Sequence, residues 1–189
     1  MRLRVNFKSI AKELSLLAIF LSAALVVGLA ERMIPLPIAV PGVKLGLSNV
    51  VILTALYLFD FKKSLTLVVL KCVMLLLLSG NFPAFLYSLS GSLLSFIVMW
   101  CLIKLPFSRK RLSPIGISAV GAVFHNVGQI AMAVLVLGSL NIAVYLPILI
   151  VTGVITGVLI GIAVRAVLPL VAKAVSATCY IDANPKSHN

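Results

Sequence analysis

Acidic residues are almost missing from this chain: Asp60, Asp182, Glu13 and Glu31 are the only four among 189. Their scarcity excludes several chemistries at once. A site that holds Mg²⁺ against a diphosphate needs clustered carboxylates, and these four are scattered along the sequence. An ion-coupled carrier relies on an acid inside the membrane, and no acid interrupts the interior of an apolar run. No GxxxxGK[ST] loop is present to cradle a nucleotide. His125 has no acidic partner in its own run, so no Ser/His/Asp set can be assembled. The three cysteines, Cys72, Cys101 and Cys179, show neither CxxC spacing nor paired histidines, so no metal or disulfide site is implied. No catalytic residue and no cofactor can be named, and the chain reads as non-enzymatic by itself.

What is abundant is apolar surface and positive charge. Hydrophobic residues make up 62% of the chain, the mean hydropathy is +1.22 and the formal net charge is +12. The sixteen Lys and Arg fall between long apolar runs rather than on a soluble, aromatic-interleaved face, which argues against nucleic acid as the partner. Along the chain they alternate rich, poor, rich, poor. Thirteen lie in the first, third, fifth and last connections, two (Arg32 and Lys44) in the second, and Lys71 inside a run. Short basic loops stay cytoplasmic, so the pattern predicts six spans with both termini inside. The expected location is the plasma membrane, with the bilayer itself as partner. A span needs ~20 apolar residues. The expected spans are Leu14–Ala30, Leu45–Phe59, Leu65–Leu78, Phe85–Ile103, Ile115–Leu137 and Ile142–Leu168, of which the second and third are short. The first run is too long for a signal-peptide core and lacks a small-residue cleavage site, so it reads as a retained span. The expected fold is an all-α membrane protein, a six-helix bundle over residues 1–171 with a polar tail over 172–189.

The connection from Glu31 to Lys44 carries Pro35, Pro37 and Pro41 yet stays apolar. Proline forbids a regular helix there, and an apolar irregular segment needs shielding by protein. It reads either as a lid over the outer mouth of the bundle or as a loop dipping into the headgroups. Span 5 contains His125, Asn126 and Gln129, whose spacing with Gly121 and Gly128 suggests one polar face looking into the bundle. They either line a site or bond helices together. Lys71, mid-span, either snorkels, pairs, or meets a ligand. Arg32, Lys44, Asn49, Asn81 and Tyr87 are expected near the outer boundary with Glu31, Ser48, Ser88 and Tyr145. That mixture suits one small, partly apolar molecule with an acidic or carbonyl end. Tyr87 and Tyr145 taken singly read as interface anchors. Small residues recur at helix-contact spacing: Ala18 and Ser22, Ala24 and Gly28, Gly91 and Ser95, and the stripe Gly153, Gly157, Gly161.

Several motifs, in order, resemble one family. Val40-Pro-Gly-Val-Lys-Leu-Gly-Leu-Ser-Asn49, Gly80-Asn81, Phe85-Leu-Tyr-Ser-Leu-Ser-Gly91 and Gly121-Ala-Val-Phe-His-Asn-Val-Gly-Gln129 look like the "Gx transporter" family, also labelled heptaprenyl diphosphate synthase component I. The likeness covers roughly Leu14 to Val171. The second label implies a membrane accessory of prenyl diphosphate or quinone synthesis, with a soluble prenyl synthase subunit as partner. In its expected six spans, size and lid, the chain also resembles the S components of energy-coupling-factor (ECF) transporters. That likeness implies a substrate-binding subunit for a vitamin- or cofactor-precursor-like molecule. Its implied partners are a coupling transmembrane subunit and two ATPases. S components meet the coupling subunit through an Ala-xxx-Ala pattern in span 1, which Ala18 and Ser22 match with a serine in the second place.

Overall fold

The computed structural model describes residues 10–33, 46–104 and 113–181, apart from the side chains of Arg32 and of residues 176–181. Six α-helices and one short 3-10 helix account for them, with no strand among the described residues. The helices are α1 (Ile10–Arg32), α2 (Asn49–Leu58), α3 (Phe61–Ser79), α4 (Phe82–Lys104), α5 (Pro114–Leu137) and α6 (Leu146–Ile181). The 3-10 helix, Leu140–Tyr145, joins the last two. Four stretches are long and apolar enough to cross a membrane: Ile10–Glu31, Phe82–Lys104, Pro114–Leu137 and Leu140–Val175. These match four of the six expected spans.

The two short spans differ from the rest for different reasons. α3 has 19 residues, close to bilayer length, but carries Lys62, Lys63 and Lys71. α2 has only 10 residues, about 15 Å at ~1.5 Å per residue, half of a hydrocarbon core of ~30 Å. It begins four residues later than the sequence pattern suggests, because the chain first makes a turn at Gly46, where φ is +81°. At the other end of the chain, α6 continues to Ile181, ten residues beyond the expected boundary at Val171, with Pro169 inside it.

Helix ends follow local chemistry. Ser113 caps α5 by accepting from the Gly116 N–H, with Pro114 in the first turn where no N–H is needed. Asn81 Oδ1 accepts from the Ala84 N–H at 2.9 Å and so caps α4. α1 and α3 are tied at their basic ends by Glu13 and Lys63, 2.7 Å apart and part-exposed. At that same end Phe61 stacks edge-on to Trp100 and Lys104 lies over the indole, an aromatic and cationic girdle of the kind found at membrane boundaries.

The best-packed interface is α5 against α6. Gly153, Gly157 and Gly161 form the contact, and a Cβ at Gly157 would fall 2.6 Å from Ala119 Cα. The stripe is therefore bundle packing. Gly91 and Gly128 do the same between α4 and α5, and the Ser90 hydroxyl donates to the Gly128 carbonyl at 2.9 Å. α1 is the peripheral helix: 17% of its most apolar window is buried within the chain, against 44% for α4 and for α5. Its Ala24–Gly28 face packs inward, Gly28 against Leu75, while Ala18 and Ser22 are exposed. Between α1, α2 and α6 lies an apolar groove of about 430 Å³, lined among others by Leu16, Ile19, Ala23, Val51 and Val171, with Lys12 beside them.

Candidate functional site

Lys71, Ser92, His125 and Asn126 each lie within about one residue of the midpoint of their helix, α3, α4 or α5. The middle of the bundle is therefore polar, and all four are buried. Lys71 is 1% exposed and does not snorkel; its ammonium donates to Ser48 Oγ and to Ser92 Oγ, each at 3.2 Å. Ser48 precedes the first residue of α2, so that helix starts beside the ammonium, level with the middles of α3 and α4. This corrects the expectation that Ser48 and Asn49 sit near the outer boundary. The turn at Gly46 is what carries the chain to this depth.

Gly46 is also where the second buried charge meets the cluster. Glu31, in the last turn of α1 and 4% exposed, accepts the Gly46 N–H through Oε1. A Cβ at Gly46 would fall 2.9 Å from His125 Cδ2 and 3.0 Å from Asn49 Nδ2. Glycine is needed here twice, for the left-handed backbone and for the imidazole lying against it. Asn49 is buried and its Nδ2 has no hydrogen-bond partner among the described residues.

His125, Asn126 and Gln129 do not share one face. His125 and Gln129 turn toward α4, where Gly91 leaves room for them: a Cβ there would meet Gln129 Cγ at 2.8 Å and His125 Nδ1 at 3.1 Å. Asn126, about 100° further round the helix, turns toward α6 and donates to the Leu149 carbonyl at 2.5 Å. Its amide bonds helix to helix, while its Oδ1 has no partner among the described residues. The other expected residues spread out. Tyr87 is buried in an apolar cluster with Ile130, Ala133, Ile142 and Leu149, and Tyr145 packs partly buried against it, so neither is an exposed anchor. Asn81 is exposed and serves as the cap of α4. Lys44, the lid from Pro35 to Lys44, the Arg32 side chain and the loop Arg109-Lys110-Arg111 lie outside the described residues.

Sequence reasoning missed Ser92, and it missed that Ser88, Ser92 and Ser95 form one buried row on α4. Their i, i+4, i+7 spacing was the available signal. Ser88 Oγ lies 3.9 Å from Cys72 Sγ, and Ser95 Oγ has no partner among the described residues. Chemically the cluster is rich in hydrogen-bond donors. Glu13 and Asp60 are distant from it at the basic end, and among the described residues no three His, Cys, Asp or Glu gather as metal ligands.

One family model, described as heptaprenyl diphosphate synthase component I, matches residues 20–167. That is most of the chain and contains every residue of the polar cluster. The chain belongs to the heptaprenyl diphosphate synthase component I family. Neither a curated protein nor a solved structure matches it. The family match spans α1 from Phe20 through most of α6, so Glu31, Gly46, Lys71, Ser92 and His125 are all within the portion that the family describes.

Proposed function

We propose that this member of the family is the membrane-embedded substrate-binding subunit of an importer of the ECF kind, taking a small vitamin- or cofactor-precursor-like molecule. The observation that carries the reading is the closed polar cluster at mid-bundle. A buried ammonium, a buried carboxylate and several amide and hydroxyl groups at bilayer centre are expensive in free energy, and such groups mark ligand pathways and sites. The discontinuous α2, starting beside them, is the architecture by which membrane carriers present helix ends to ligands. The sequence carries no nucleotide-binding loop, so in this reading the subunit binds and a partner drives. The peripheral α1, with Ala18 and Ser22 exposed, offers the coupling subunit a surface. The chain is threaded with six spans and both termini inside, Leu45–Phe59 being the second. The Pro35–Lys44 segment is the lid, with Arg32 and Lys44 near the ligand's outer end.

Gentle extraction from native membranes tests this. A coupling transmembrane subunit and two ATPases should accompany the protein, together with a retained small molecule. Purification of the chain alone, with nothing bound, would remove the reading.

The family description supports a second reading, a membrane accessory that recruits a soluble prenyl synthase through Arg109-Lys110-Arg111. Purified synthase should then bind at low salt, and less so when the three charges become Gln. Absence of binding at low salt would eliminate it.

A further inference from the structure

We propose that the N-terminus of α2, with Lys71, Ser48, Ser92 and Asn49 around it, is a receptor for a single anionic group, carboxylate or phosphate, on the ligand. The inference rests on the capture reading and adds the chemical class of what is captured.

Three features lie around the start of α2, Lys71 on Ser48 and Ser92 and the Asn49 amide on the Gly46 side. The first is the helix end. The Asn49, Val50 and Val51 amides already donate to the Gly46, Leu47 and Ser48 carbonyls, so what the start of α2 contributes is the positive end of its dipole, about half a charge. The second is Lys71. Its two partners are hydroxyl oxygens, and among the described residues it makes no ion pair. Among the described residues the one buried carboxylate, Glu31, accepts the Gly46 N–H and forms no ion pair with Lys71. An ammonium buried without a counter-charge is among the most costly arrangements in a low-dielectric interior. The third is Asn49, 5% exposed, whose Nδ2 has no hydrogen-bond partner among the described residues.

The hydrogen-bond inventory gives the same sign. An ammonium has three donors, of which two are used here. Ser48 and Ser92 each accept from it and keep their own O–H to donate. With the two N–H of the Asn49 amide, the start of α2 therefore has five donors to offer and few acceptors to meet them. A neutral carbonyl satisfies at most part of that set. An anion satisfies the donors and cancels the charge, so the site discriminates an acid from its amide.

The test uses the full chain purified in mild detergent, with sodium butyrate, sodium benzoate and inorganic phosphate as probes. Butyramide and benzamide are the uncharged counterparts, and sodium chloride at equal ionic strength is the baseline. At about tenfold above its Kd, a binding anion should raise the thermal midpoint by about 3–5 °C, and the amides should leave it unchanged. Lys71→Met should abolish the anion effect. Without anion, its midpoint should equal or exceed that of the wild type, because an uncompensated charge has been removed. Ser92→Ala should weaken the anion effect and keep the fold. The proposal is overturned if no anion shifts the midpoint, if the amides shift it equally, or if Lys71→Met responds like the wild type. It is also overturned if the molecule retained from native membranes is neutral or cationic, a result that leaves the capture reading standing. Absence of both retained molecule and coupling partners removes the capture reading, whereas the anion shift is read on the purified chain alone.

Discussion

Buried polar side chains in this protein divide into those that hold helices together and those that wait for something else. Asn126 belongs to the first kind through its bond to the Leu149 carbonyl. Asn126→Leu should lower the thermal midpoint by about 1–3 °C, the equivalent of ~0.6 kcal/mol for an interhelical bond, and leave ligand retention intact. Loss of ligand with an unchanged midpoint would reverse the assignment. Gly46 is the most constrained single residue, since its positive φ and the His125 ring both exclude a side chain. Gly46→Ala should cost about 1–2 kcal/mol from the left-handed backbone alone and should release the Glu31 contact. A variant of wild-type stability would show that the turn repacks freely. At this scale the sequence was least legible. Ser15, Ser22, Thr54, Thr66 and Ser79 all bond back to a carbonyl four residues earlier in their own helix. Ser92 looks the same in sequence, yet its oxygen meets Lys71 on another helix. Only tertiary placement separates a hydroxyl that satisfies itself from one that builds a site.

The long elements were legible because hydrophobicity over twenty residues leaves few alternatives. α1, α4 and α5 fall within a few residues of the expected spans. α2 was not, because its start is set by the turn at Gly46 and the demand that Ser48 reach Lys71, neither of which has a periodic signature. α6 runs past the expected boundary because Ala, Val and Lys after Pro169 remain good company for a helix even where hydropathy falls. The contact between α5 and α6 supplies a clean test of element packing. Gly157→Leu should lower the midpoint by about 4–10 °C, since over-packing costs typically ~1–3 kcal/mol or more and its Cβ would meet Ala119 Cα at 2.6 Å. Gly80→Ala, also at positive φ but with no atom within 4 Å of the added Cβ, should cost only the backbone strain, about 1 kcal/mol. Equal losses from the two would mean that the α5–α6 contact yields to a side chain.

For the whole molecule, charge asymmetry predicts the threading and the bundle predicts the site. In a variant whose native cysteines are replaced by Ala, Asn141→Cys, between α5 and α6, should react with a membrane-impermeant thiol reagent on intact cells. Ser113→Cys, before α5, should react only after permeabilisation. The reverse pattern would invert the protein and with it the lid. Charge patterning gives an expectation at this level, whereas the polar centre required the fold, since its members come from α1 through α5 and are far apart along the chain.

The mid-bundle cluster is proposed to hold a ligand. Its most direct test is the intact mass of the protein gently extracted from its own membranes, compared between wild type and Gln129→Leu. The wild type should carry the added mass of one small molecule. Gln129→Leu, which exchanges a buried amide with contacts of its own in the fold for an apolar group of similar size, should lower the thermal midpoint by about 1–3 °C and carry none. A wild-type protein with no small-molecule mass, or a variant that retains the same adduct, would contradict the claim.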